Sequence, residues 1–142
     1  AHTDADFTHL ERLRVLTVLD SVGPSPPRDY GAPEAFVPVH GDRLPLLLSL
    51  YRLAIVYVWL DVCQDCDEMR AALDGVLDGS ESEVALLSVY GPDCAELLHE
   101  EYGVPGGPAT LFVLDGEVDA RLYGAHYEGT VESEVQTLRE LG

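Results

Sequence analysis

An apolar run of eight residues, Leu-Ala-Ile-Val-Tyr-Val-Trp-Leu at 53–60, is followed after two residues by Cys63-Gln64-Asp65-Cys66 and then by a helix-type run ending at Leu77. The branched and aromatic content of the first run reads as a buried β-strand. A strand that feeds directly into a helix leaves few arrangements other than an α/β layer, and it places both thiols at the junction. The start of a helix presents unpaired N–H groups and the positive end of a dipole, which favour a thiolate at Cys63 and make it a nucleophile. Two thiols so placed can cycle between dithiol and disulfide.

With 142 residues, 46% of them apolar, the chain has enough material for one packed domain. Its charge is less ordinary. Twenty-six Asp and Glu stand against eight basic residues, all Arg, for a formal charge of −18. Such a surface repels itself at low salt, whereas at molar salt the Debye length shrinks to about 3 Å. The composition resembles that of cytoplasmic proteins from extreme halophiles that balance their surroundings with internal salt, and with no Lys at all it predicts a haloarchaeal source over a generic acidic surface that keeps a protein soluble. This charge argues against nucleic acid and anionic membranes as partners, because both are bound through Lys and Arg. The first residues show no basic stretch leading into an apolar block, and the longest apolar segment, 44–60, is interrupted by Pro45 and Arg52. It falls short of the ~20 residues of a membrane span. These features predict a soluble, cytoplasmic protein, where three cysteines serve redox or metal chemistry rather than a disulfide framework.

Around the cysteine segment the chain falls into alternating elements. Residues 7–19 carry Phe7, Leu10, Leu13, Leu16 and Leu19 between charged positions, which predicts an amphipathic helix. Prolines then forbid regular structure over 22–38. Residues 1–35 are therefore expected to be a helical and loop extension, and 36–142 the main domain. Within the latter the patterns predict a short edge strand at 36–40, a short helix at 43–51, strands at 53–60 and 83–90, and a helix over 92–102. Two strands, 109–114 and 117–123, flank Asp115-Gly116, a strong hairpin signal. A last helix over 128–141 has Val131, Val135, Leu138 and Leu141 on one face, with Thr130 as its expected cap.

Over roughly residues 36–141 this order resembles the thioredoxin family. The segment Ala54-Ile-Val-Tyr-Val-Trp-Leu-Asp-Val-Cys63 is similar to the family's strand running into its cysteine motif, with Trp59 at the family's Trp. Residues 102–124, from Tyr102-Gly-Val-Pro through Pro108-Ala-Thr-Leu to Gly124, are similar to the family's second signature segment. The resemblance implies an α/β thioredoxin fold, a central mixed sheet flanked by helices. It implies a thiol–disulfide oxidoreductase that acts on disulfide-containing proteins as a monomer, takes electrons from a thioredoxin-reductase-type donor and needs no cofactor. Cys63 and Cys66 would be catalytic, with Pro108, chosen over Pro105 because it directly precedes the strand, a cis-proline facing them, and Trp59, Gln64, Asp65 and Gly107 lining the site.

The departures bear on chemistry. Val62-Cys-Gln-Asp-Cys replaces the family's Trp-Cys-Gly-Pro-Cys, and Tyr57 stands where the family has a buried Asp that helps deprotonate the second Cys; Leu86 falls near its partner Lys. A phenol of pKa about 10 is a poor base beside a carboxylate. Asp61, Asp65, Asp67 and Glu68 around the motif oppose a thiolate.

Two other functions are open to these residues. A non-catalytic interaction module would use the scaffold and residues 1–35 as a partner surface. A small zinc protein would need about four ligands, for instance Cys63, Cys66, Cys94 and His99. Cys94 shares a helix face with Leu97, Leu98 and Tyr102, as a core thiol would, or else is an additional redox or metal-binding group. His2, His9, His40, His99 and His126 are scattered and none pairs with a Cys in a recognisable nucleophile pattern, and no Gly-rich loop is placed to cradle a phosphate.

Overall fold

The computed structural model describes residues 33, 35–60, 63–77, 84–104 and 108–141. The expected helix over 7–19, most of the Pro-rich extension, Asp61, Pro105 and Gly107 lie outside the described residues.

The apolar run forms β2 (Leu53–Trp59), flanked in the sheet by β3 (Ala85–Tyr90) and β4 (Ala109–Leu114); β1 (Val37–Pro38) and β5 (Glu117–Tyr123) form the edges. The order is β1-β3-β2-β4-β5, with β1, β3 and β2 parallel and β4 and β5 antiparallel. A central strand of a mixed sheet has a layer on each face, which is why β2 is apolar without alternation. Ala54, Val56 and Val58 join one buried cluster, while Ile55, Tyr57 and Trp59 join the other.

Among the described residues four helices cover the two faces. On the Ala54 side lie α1 (Leu44–Ser49) and α3 (Ala95–Tyr102), burying Leu44, Leu47, Leu48, Leu98 and Tyr102. On the Tyr57 side lie α2 (Gln64–Leu77) and α4 (Glu128–Leu141). Met69, Leu73 and Leu77 from α2 and Val131, Val135 and Leu138 from α4 form one apolar seam. Each fully buried Leu in it contributes about 1.5–3 kcal/mol.

Local chemistry accounts for the remaining boundaries. Asp115 and Gly116 take the left-handed backbone, φ 51° and 83°, that a tight hairpin demands. The pairing slips between Phe112 and Val113, so Val118 faces one layer and Ala120 the other. Gly103, at φ 69°, ends α3, and Val104 donates to the Leu98 carbonyl in closing it. The expected helices at 43–51 and 92–102 each open with a 3-10 turn, Gly41–Arg43 and Gly91–Cys94. These turns meet: any Cβ at Gly41 would overlap the Cys94 side chain. Thr130, expected as a cap, instead lies within the first turn of α4, where its N–H donates to Tyr127.

Candidate active site

The strand–cysteine–helix segment places the motif at the end of β2, and α2 begins at Gln64, inside the motif, rather than at Asp67. This earlier start has a direct consequence for Cys63. Its carbonyl accepts the Asp67 N–H at 3.3 Å, and its sulfur accepts the Cys66 N–H at 3.1 Å. The sulfur therefore occupies the position of a helix N-cap acceptor, where backbone donors and the helix dipole favour negative charge.

Cys63 and Cys66 are joined by a disulfide, with Cα atoms 5.1 Å apart. The two sulfurs differ in access. Cys63 is half-buried, whereas Cys66 is 5% exposed and packs among Met69, Tyr57 and Trp59. An incoming sulfur can reach the first and not the second.

The other expected site residues take distinct places. Gln64 and Asp65 are exposed on the first turn of α2. Pro108 is buried at the entrance to β4, and its carbonyl accepts the Gly124 N–H at 2.8 Å. A Cβ at Gly124 would lie 3.7 Å from an Asp65 carboxylate oxygen, so the end of β5 links the proline to the cysteine turn. Trp59 does not line the surface as a site-facing aromatic would: it is 1% exposed and supports the site from below, its ring 4.9 Å from that of Tyr90. An open depression of about 560 Å³ runs beside α2, bounded by Glu68, Ala72, Ala125, Tyr127 and Glu128.

Tyr57 is buried at the sheet centre, and its hydroxyl donates to the Cys66 carbonyl at 2.7 Å. Burial raises the phenol far above the ordinary tyrosine range; Arg70 pulls it down and Asp67 up by smaller amounts. It stays protonated and acts as a donor. The sequence marks Tyr57 as a departure from a carboxylate, and only the fold shows which atom it reaches.

Cys94 sits in the opposite buried layer from Cys63 and Cys66, its thiol 3.7 Å from the Tyr90 carbonyl. The two layers separate it from the motif, and among the described residues no three His, Cys, Asp or Glu converge on a point that could hold a metal ion. Burial, aided by Asp93 and Asp42, pushes the Cys94 thiol up to about 11. The folded state thus holds this proton more tightly than the unfolded chain. Its stabilisation is complete below pH 9 and is lost as pH climbs through 9 to about 11, a fall of at most about 2–3 kcal/mol. Urea unfolding of wild type against Cys94→Ala across that window isolates the effect, since Tyr57 and Tyr102 are raised in the same direction and remain in both proteins.

Three thioredoxins resemble this structure. A point mutant of the thioredoxin from Halobacterium salinarum NRC-1 superposes with a TM-score of 0.60 at 17% identity, over 75% of this chain and 94% of that one. The reduced desulfothioredoxin from Desulfovibrio vulgaris Hildenborough gives 0.58 at 24% identity, over 66% and 88%. Malassezia sympodialis thioredoxin gives 0.59 at 15% identity, over 70% and 88%. No protein-family model matches the chain, and no curated protein matches it by sequence. Among the described residues no helix is long and apolar enough to cross a membrane. With a five-stranded mixed sheet, two helices on each face and a cysteine pair where the central strand meets a helix, the chain has the thioredoxin fold.

Proposed function

We propose that the protein is a thiol–disulfide oxidoreductase that reduces disulfides in other proteins. The observation that carries this reading is the Cys66 N–H directed at the sulfur of Cys63, the more accessible of two cysteines already within bonding reach of each other. In the dithiol form, the Cys63 thiolate attacks one sulfur of a substrate disulfide. A Cys63–substrate S–S bond forms, the substrate S–S bond breaks, and the departing sulfur takes a proton. Cys66, as thiolate, then attacks the Cys63 sulfur, forming the internal disulfide and releasing the second substrate thiol. Two electrons pass to the substrate, and an external dithiol donor must return them. The closeness of Cys66 makes the second step intramolecular.

Finer assignments belong to the same proposal. Pro108, as a cis-proline, with Gly107, Gln64 and Asp65, would form the surface on which a substrate chain lies; the Pro108–Gly124 hydrogen bond and the approach of Gly124 to Asp65 support that grouping. Cytoplasmic residence, a monomeric state and a thioredoxin-reductase-type donor complete the reading. The test is catalysis: in molar KCl, with dithiothreitol as donor, substoichiometric protein should accelerate reduction of a disulfide-bonded protein over the dithiothreitol background. A rate equal to background in folded protein would sink the proposal and leave a non-catalytic binding module.

A further inference from the structure

Beneath the start of α2 the sheet carries a short polar row. Ser88 of β3, Tyr57 of β2 and Thr110 of β4 are register partners across three adjacent strands, and all three are fully buried. Register partners share a face, so the three side chains project together toward α2, in a layer otherwise built from Ile55, Leu86 and Phe112. The flanking Ser and Thr are small beside the phenol. Among the described residues the Ser88 and Thr110 hydroxyls have no hydrogen-bond partner, while the Tyr57 hydroxyl reaches the backbone of Cys66. One polar group of the row is thus joined to the cysteine turn, and it is joined at the buried cysteine.

The Cys66 carbonyl lies in the first turn of α2, so a donor from below ties that turn to the centre of the sheet. In the disulfide form the covalent bond already holds Cys66 against Cys63. In the dithiol form that bond is gone, and the phenol is a tether that remains. A neutral hydroxyl donating at 2.7 Å to a buried acceptor keeps its bond, because breaking it would strand the buried phenol hydroxyl away from water. We infer that Tyr57 is a positioning residue for the resolving cysteine: by hydrogen-bonding the Cys66 carbonyl it holds the reduced Cys66 where it can attack Cys63, and so sets how strongly the pair closes to a disulfide. This rests on the thiol–disulfide reading of the site but concerns the pair's internal equilibrium.

The experiment is equilibration with glutathione redox buffers in molar KCl, with mass-spectrometric counting of thiols, for wild type, Tyr57→Phe and Ser88→Ala. Tyr57→Phe keeps the ring and removes only the donor; Ser88→Ala removes a hydroxyl of the same row that has no hydrogen-bond partner among the described residues. Loss of the tether frees the reduced turn, so the Tyr57→Phe constant for closing the disulfide should fall about fivefold, or about 20 mV for a two-electron couple, while Ser88→Ala stays at the wild-type value. Loss of stability common to both redox forms cancels in this constant. A fall of less than about twofold in Tyr57→Phe, or an equal fall in Ser88→Ala, overturns the inference. Should Tyr57→Phe not fold, the Tyr57 hydroxyl proton of wild type decides by NMR. Exchange with water as slow in the reduced as in the oxidised protein supports the tether, and fast exchange on reduction overturns it. Failure of catalysis toward protein disulfides would leave these equilibria measurable, so the two proposals fail separately.

Discussion

Replacing Cys66 with Ser is expected to stall the protein as a covalent adduct: incubated with a disulfide-bonded protein, it should accumulate a mixed disulfide through Cys63 that dithiothreitol releases. Cys63→Ser should form none and should reduce substrate no faster than buffer. Both follow from the unequal access of the sulfurs and from the Cys66 N–H at the Cys63 sulfur. A first attack needs an exposed thiolate, and only Cys63 has both the exposure and the donor. Release needs a second thiol held close, a contribution of about 10²-fold or more over a free thiol from solution at ordinary concentrations. Turnover in Cys66→Ser should fall by at least that factor while the first, adduct-forming step persists. Peptide mapping of the adduct identifies the bonded cysteine. Adducts through Cys66 in Cys63→Ser, in place of those through Cys63, would reverse the two roles.

The elements that depend on near neighbours in the chain are legible in the sequence. The run at 53–60, the Asp115-Gly116 turn and the apolar face of 128–141 each carry their instruction within a few residues, and β2, the hairpin and α4 form where those patterns lie. What is illegible depends on distant partners or on backbone bonds that no side chain announces. The residue pattern starts the helix after the motif, but backbone bonds from Asp67 and Cys66 back to Cys63 draw its start to Gln64. Trp59 looks like a site-lining aromatic by position, yet on a strand covered on both faces its side chain enters the core and meets Tyr90 on a neighbouring strand. Tyr57 shows the same limit. Its identity signals a changed chemistry at once, while its contact with Cys66 depends on where α2 lies over the sheet, which nothing near Tyr57 in the chain specifies.

The second large effect expected is a dependence of stability on salt. The buried layers are almost wholly apolar, Ser88 and Thr110 being the buried polar exceptions among the described residues. The charges therefore gather at the surface. Asp65, Asp67 and Glu68 crowd one end of α2, and Glu117 and Asp119 stand on the edge strand. The eight Arg cannot offset 26 carboxylates one for one, and two of the pairs they make are weak: Arg52 lies 3.9 Å from Asp115 and Arg70 3.3 Å from Asp67, all four side chains solvated. Folding draws this unbalanced charge together, at a cost that screening removes. Between 10 mM and 1 M salt the Debye length falls from about 30 Å to about 3 Å, from about the width of a small domain to less than the spacing of neighbouring side chains. The unfolding free energy should rise by several kcal/mol over that range, a large part of the roughly 5–15 kcal/mol that holds a typical domain. Urea titrations at fixed pH in 10 mM, 0.1 M, 1 M and 2 M KCl measure it, with sucrose as an uncharged control for solvent exclusion. A midpoint that does not move with KCl, or that sucrose moves equally, would mean the acidic surface costs the fold little, and the halophilic reading of the composition would fall with it.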